Sequence, residues 1–90
     1  MEARIRIDKW LWHARFYRTR VLAQEAASAG LIRLNGERVG KSSVPVAPGD
    51  ILTLPKGRQV LVVRVKALAS RRGSPELARK LYETVSETPA

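Results

Sequence analysis

The chain has no cysteine among its 90 residues. That excludes a disulfide framework, a thiolate metal site and a thiol nucleophile. It has one histidine, so a histidine-rich metal centre is excluded as well. Acids are scarce, with 8 Asp and Glu against 17 Lys and Arg. No window approaches the roughly 18 uninterrupted apolar residues of a membrane span. Glu2, Arg4, Arg6, Asp8 and Lys9 crowd the start, and no apolar run with a cleavage site follows, so no signal peptide is expected. The common catalytic signatures are missing too: there is no P-loop, G-x-G-x-x-G, H-E-x-x-H or G-x-S-x-G. Asp8 reads as a helix cap and Asp50 as a turn residue, which leaves no general base with a nucleophile beside it. The expectation is a protein that is not an enzyme, with no cofactor, no metal and no small-molecule substrate.

What is present is positive charge. The formal net charge is +9, and self-repulsion at that level calls for a polyanion partner, nucleic acid or an anionic membrane surface. No long basic amphipathic helix with a large apolar face is apparent, which argues against the membrane. An apolar fraction of 44% and a charged fraction of 28% fit a folded, cytoplasmic protein rather than a disordered one. The length suits a single domain over 1–90, too short for a second core.

The pattern along the chain is α+β. Ile5 and Ile7 alternate with Arg4 and Arg6 in a short extended lead-in. Asp8 is placed to cap a helix over Lys9–Tyr17, with Ile7, Leu11 and Ala14 on its apolar side. Trp10 and Trp12 stand about 200° apart on a helix, so one packs in the core and the other covers a rim or meets a partner. Thr19 caps a second helix with Leu22, Ala23, Ala26 and Ala27 at helical spacing, ended by Gly30. The period then changes to 2. Ile32 and Leu34 share one strand face, Arg33 takes the other, and Asn35-Gly36 is a two-residue hairpin turn. After a loop and the Pro48-Gly49-Asp50 turn, strands are expected near Ile51–Leu54 and, as an additional strand, within 55–68, where Arg64 and Lys66 mark the solvated face. Ser74-Pro75-Glu76 opens a C-terminal helix over 74–87, with Leu77, Ala78, Leu81, Tyr82 and Val85 as its apolar stripe, and Thr88-Pro89-Ala90 should fray. Two N-terminal helices packed on a small, mainly antiparallel sheet, plus a C-terminal helix, is the expected architecture.

The charged residues concentrate in "RIDKWLWHARFYRTR". Arg15, Arg18 and Arg20 straddle the junction of the first two helices. If Thr19 caps the second, its free backbone N–H groups face the same place, a good setting for phosphate. Arg33 projects from the next strand, and Lys41 with Ser42 or Ser43 follows in a loop that can lie nearby. His13 reads as an exposed planar group, able to stack on a base or donate to a phosphate. Arg71 and Arg72 offer a second patch.

These residues resemble the S-four RNA-binding domain. The resemblance rests on Arg6-Ile7-Asp8, Thr19-Arg20, Gly30 with Asn35-Gly36, and Gly49-Asp50, and covers roughly 4–54. The segment "DKWLWHARFYRTR" and the tail "RRGSPELARKLYETVSE" extend the similarity to the small bacterial fifteen-kilodalton heat-shock protein family. Members of that family often carry a long basic C-terminal extension that these residues do not include. The resemblance implies an RNA face of Arg6, Lys9, His13, Arg15, Arg18, Thr19, Arg20, Arg33, Asn35 and Lys41, with Asn35 and Gly36 partly architectural. It also implies ribosomal RNA of the large subunit as partner, with the peptidyl transfer RNA of a blocked subunit, and a part in rescuing such subunits under heat shock or translation stress. The rival readings are a regulatory or assembly factor on transfer RNA, messenger RNA or another ribosomal RNA site, and an accessory subunit of an RNA-modifying enzyme.

Overall fold

In the computed structural model, residues 3–89 are described. A two-residue strand β1 (Ile5–Arg6) leads into helix α1 (Ile7–His13), followed by helix α2 (Arg20–Ser28). Strands β2 (Arg33–Leu34), β3 (Glu37–Arg38) and β4 (Pro45–Val46) come next, then β5 (Ile51–Lys56) and β6 (Gln59–Val65). Helix α3 (Pro75–Arg79) and strand β7 (Tyr82–Pro89) complete the order. The main sheet is five-stranded, β3-β2-β5-β6-β7, and every pairing in it is antiparallel. β1 and β4 form a separate two-stranded ribbon. The expected architecture, helices on a mainly antiparallel sheet, is the one found.

Periodicity explains the core. Ile7, Trp10, Leu11 and Ala14 of the first helical segment meet Ala23, Ala26 and Ala27 of α2, and alanine there lets the two helices approach closely. Leu52 and Leu54 of β5 and Leu61, Val63 and Val65 of β6 are the inward alternate residues beneath them. Trp10 is fully buried and its indole Nε1 donates to the Ala67 carbonyl at 3.0 Å, which removes the cost of burying that N–H. Trp12 takes the rim position, half-buried.

Local chemistry sets several boundaries as expected. Thr19 is the N-cap of α2, its Oγ1 accepting from the Leu22 N–H at 3.1 Å. Gly30, at φ 78°, ends that helix with N–H bonds from Gly30 to Ala27 and from Leu31 to Ala26, the two bonds of a Schellman closure. Asn35 and Gly36 both take positive φ, 51° and 87°, as a type I′ hairpin turn requires.

Three expectations fail. The first helix is not Lys9–Tyr17 capped by Asp8. It begins at Ile7 after an N-cap, Arg6, that makes no side-chain capping bond, and it stops at His13. The stop is a second Schellman closure, Arg15 N–H to Trp12 and Phe16 N–H to Leu11, each at 3.1 Å. Arg15 occupies the left-handed position at φ 63°, where glycine is usual.

The C-terminal helix is much shorter than 74–87. Ser74 and Pro75 do start it, with Ser74 Oγ accepting from the Leu77 N–H at 3.3 Å, but it ends at Arg79 and the chain turns into β7. The run after Tyr82 is rich in Thr, Val and Ser, which favour a pleated surface over a helix, and β6 presents an open edge that this run pairs along its length. The supposed stripe divides accordingly: Ala78 and Leu81 are buried, while Leu77 and Val85 are exposed. The third failure is the fraying end. Thr88 and Pro89 lie in register with Val60 and Gln59; Ala90 lies outside the described residues.

Candidate nucleic-acid interface

Asp8 organises the basic segment. Its side chain is fully buried in the first turn of α1. Arg6 reaches it with two hydrogen bonds, Nε to Oδ1 and a terminal nitrogen to Oδ2, both 3.1 Å. Arg20, at the start of α2, approaches from the other side with Nε 3.6 Å from Oδ2. The Lys9 N–H donates to Oδ1 at 2.8 Å. Burial pushes the Asp8 carboxyl upward, but bonds from Arg6, then Gln24, then the Lys9 backbone outweigh it, and the group titrates below the ordinary carboxylate range. One carboxylate between two guanidiniums cancels only half their charge. The starts of the two helices are thereby cross-linked and remain cationic.

The same hub holds the loop that follows β3. Arg6 also donates to Ser42 Oγ at 3.4 Å, the Asp8 N–H meets the Ser42 carbonyl at 3.4 Å, and the Ile7 N–H meets the Val44 carbonyl at 2.7 Å. Lys41 sits beside Ser42, exposed. A groove of about 480 Å³ joins this loop to the hairpin, and Lys41, Arg38 and the single acid Glu37 are its charged lining residues. Arg38 stands directly opposite Arg33 across the β2–β3 ladder, so two like charges face each other, a destabilising arrangement unless an anion lies over them. Arg33 has a bond of its own, 3.3 Å to the Gly36 carbonyl. Asn35 is committed to the fold. Its amide donates to Asp50 at 3.2 Å and accepts the Ile51 N–H at 2.9 Å, and Asp50 also takes the Ala47 N–H at 2.9 Å.

The site residues expected from sequence therefore separate. Arg6, Lys9, Arg20 and Lys41 gather around Asp8 and the 41–44 loop, Arg18 and Thr19 lie next to Arg20 in the chain, and Arg33 stands across the ladder from Arg38, which lines the groove. The side chains of Arg18, Lys9 and Lys41 have no hydrogen bond or ion pair with another described residue, whereas those of Arg6 and Arg20 are held internally. The expected Arg15–Arg18–Arg20 cluster is split, because Arg15 turns the other way and its Nε donates to the Gly73 carbonyl at 2.8 Å.

His13 is a correction. It is 1% exposed, not a surface group, and its Nδ1 has no hydrogen-bond partner. It lies at the end of α1 under the 67–73 segment, with its ring 5.5 Å from that of Trp12. Burial first, then the cations of Lys9, Arg20 and Arg72, keep the imidazole below its usual pKa, against a bond it donates to the Ala69 backbone. A buried neutral imidazole cannot stack on a base.

Arg38 was missed by the sequence reading, although a two-residue turn at 35–36 fixes 33 opposite 38. Arg72 was assigned to a loop patch, but it closes the far side of the junction. Its guanidinium donates to the Trp12 carbonyl at 3.0 Å and the Tyr17 carbonyl at 3.3 Å, and lies 5.7 Å from the Trp12 ring centre, within cation–π range. Burial, then the neighbouring Arg15 cation, lowers its pKa. Among the described residues no cluster of potential metal ligands occurs, and no helix is long and apolar enough to cross a membrane.

Comparison with known proteins places this geometry. Residues 5–52 match the S4 domain family model, which takes in both helices, the hairpin and the start of β5. Heat shock protein 15 of Escherichia coli K12 is 43% identical over 84 residues, covering 93% of this chain and 62% of that protein. The chain thus spans about 62% of the length of the curated heat shock protein 15 relatives it first matches. The RQC P-site tRNA stabilizing factor of Bacillus subtilis is 36% identical over 83 residues, covering 92% of this chain and 94% of that one. The structure of heat shock protein 15 from Vibrio cholerae, described as trimeric, superposes with a TM-score of 0.87 at 34% identity, over 93% of this chain and 84% of the other.

Proposed function

We infer the function of this chain from the S4 domain family, to which it belongs. It is a noncatalytic, cytoplasmic RNA-binding protein. Its target is structured ribosomal RNA of the large subunit, and it helps hold the transfer RNA of a subunit blocked by an unfinished nascent chain. The relatives support this by name, as a heat shock protein and as a factor stabilising transfer RNA in the P site. The physical observation that carries it is the surface running from Arg20 and Arg6 around Asp8, past Lys41, to Arg38 and Arg33. The Arg6 and Arg20 end of the strip, fixed by one buried acid, is preorganised: those two guanidiniums do not have to be collected when RNA arrives. Recognition is then of backbone and shape, by phosphates meeting Arg and Lys and by release of counterions.

Binding to purified large ribosomal subunits, titrated over a range of salt, tests this. Lys9→Ala, Arg18→Ala and Lys41→Ala each remove a cation whose side chain has no internal partner and should each lower the salt slope by about 1, with folding unchanged. Unaltered slopes in all three, or failure of the protein to cosediment with large subunits, would refute the reading.

A further inference from the structure

A second cationic concavity lies outside the strip. Its volume is about 180 Å³, and it is bounded by the end of α1, the β5–β6 turn, α3 and the start of β7. Arg15, Lys56 and Arg79 line it, with the rings of Phe16 and Tyr82, and no acidic side chain contributes to the lining. The three cations come from distant parts of the chain and are all exposed. The side chains of Lys56 and Arg79 have no hydrogen bond or ion pair with another described residue. Arg15 uses only Nε internally, so both its terminal nitrogens remain to donate. The aromatic pair packs ring to ring, centroids 4.6 Å apart at a tilt of 49°.

We propose that this pocket holds one unpaired nucleotide of the bound RNA, its phosphate met by Arg15, Lys56 and Arg79 and its base or ribose lying against Phe16 and Tyr82. The inference deepens the RNA-binding reading above and rests on it. The size selects the ligand. At about 180 Å³ the concavity is smaller than the roughly 300–1,000 Å³ of pockets that enclose drug-sized molecules, so it takes one planar group, and a duplex cannot enter. Extruded single nucleotides are recognised by this combination of aromatic surface and fixed cations. Arg15 supplies the link to the first site. It stands in the segment that joins α1 to Thr19, so RNA on the main strip has a short path to the pocket. The left-handed backbone at Arg15 has a consequence here, since it turns the side chain toward Gly73 and α3 and away from Asp8. Strained backbone tends to be kept where it places a functional group.

The double variant Lys56→Ala/Arg79→Ala tests the proposal on large ribosomal subunits. Its affinity should fall by about tenfold or more and its salt slope by between about 1 and 2. Arg58→Ala/Lys66→Ala removes equal charge from exposed positions outside the pocket and should change the slope by less than half as much. Tyr82→Leu keeps apolar volume but removes the ring; affinity should drop about fivefold or more at unchanged slope, with denaturation curves confirming the fold. The pocket is refuted if the first double variant behaves like the second, or if a folded Tyr82→Leu protein binds as the parent does. A single-stranded oligoribonucleotide serves as the second probe. Loss of its binding in Lys56→Ala/Arg79→Ala, when the parent ignores ribosomal subunits, would keep the pocket and sink the ribosomal reading; equal binding by both proteins would sink the pocket.

Discussion

Arg15 offers a test in which strain and binding pull apart. The residue closes α1 in a left-handed conformation at φ 63°, which costs a side chain with a Cβ about 1–2 kcal/mol relative to the right-handed helix. Glycine has no such cost there. Against this, Arg15 Nε donates to the Gly73 carbonyl, a charge-assisted bond at an exposed position, worth about 0.5–1 kcal/mol once water competes for both groups. Arg15→Ala loses the bond and keeps the strain, so it should destabilise the fold by about 0.5–1 kcal/mol. Arg15→Gly loses the bond but sheds the strain, and should leave stability within about 0.5 kcal/mol of the parent or above it. The two variants should therefore differ by about 1 kcal/mol in urea denaturation while weakening RNA binding equally, because both remove the same cation. If alanine and glycine give superimposable denaturation curves, Arg15 does not sit in the left-handed region, and the account of how α1 ends is wrong.

His13 should make stability depend on pH. Its folded pKa is depressed, so the unfolded chain takes up a proton more readily, and stability should be complete above about pH 6.5, the unperturbed histidine value, and fall as pH drops through that value toward the folded pKa. In His13→Phe that slope should vanish; a parent protein equally stable at pH 7.5 and pH 5.5 would contradict the buried neutral imidazole. Asp8→Asn should destabilise by about 2 kcal/mol, less than the 3–5 of a fully buried pair because both arginines are partly solvated. It should also remove Asp8's share of the acid limb, in which stability falls as pH drops below about 4, the unfolded carboxyl value, toward the lower folded pKa; an unchanged acid limb would show that Asp8 is not the hub. Thr19→Ala should cost about 1 kcal/mol through loss of the cap, checked by chemical denaturation, and no loss would mean that the Leu22 N–H finds its acceptor elsewhere.

The parts of the molecule that were legible in the sequence are those written in a few adjacent residues. Thr19 and Gly30 bracket α2, and Asn35-Gly36 sets the hairpin, because each meets a local backbone requirement with the residue type that satisfies it. The end of α1 was not legible: arginine carries no signal for a left-handed backbone, and the closure is fixed by bonds whose geometry depends on the packing of Trp10 and Phe16. β7 was misread for the opposite reason. Ser74-Pro75-Glu76 is a true helix start, and only the open edge of β6, distant in sequence until the sheet forms, decides that the helix ends after Arg79. His13 was placed at the surface because the 67–69 segment that covers it joins α1 only in the folded state. Asp8 reads from its neighbours in sequence as a cap, while the structure gives its hydrogen bonds to Arg6 and the Lys9 N–H and an ion pair to Arg20.

That last difference bears on how the basic segment works. A protein with a net charge of +9 could scatter its cations to reduce repulsion, yet here they are held near one another by very little counter-charge. Asp8 neutralises half of the Arg6–Arg20 pair, Arg33 faces Arg38 across the hairpin, and Arg72 feels Arg15 closely enough to lower its pKa. In each place the free protein retains like-charge repulsion that a bound phosphate would relieve. The self-repulsion therefore adds to RNA affinity, because binding gains both the new contacts and release from an unfavourable arrangement. It also gives the scarcity of acids a physical meaning: more carboxylates would stabilise the unbound fold and weaken the grip on a polyanion. One buried aspartate is enough to fix the positions of the two guanidiniums that join the helix starts, and the side chains of Lys9, Arg18 and Lys41 stay available to the ligand.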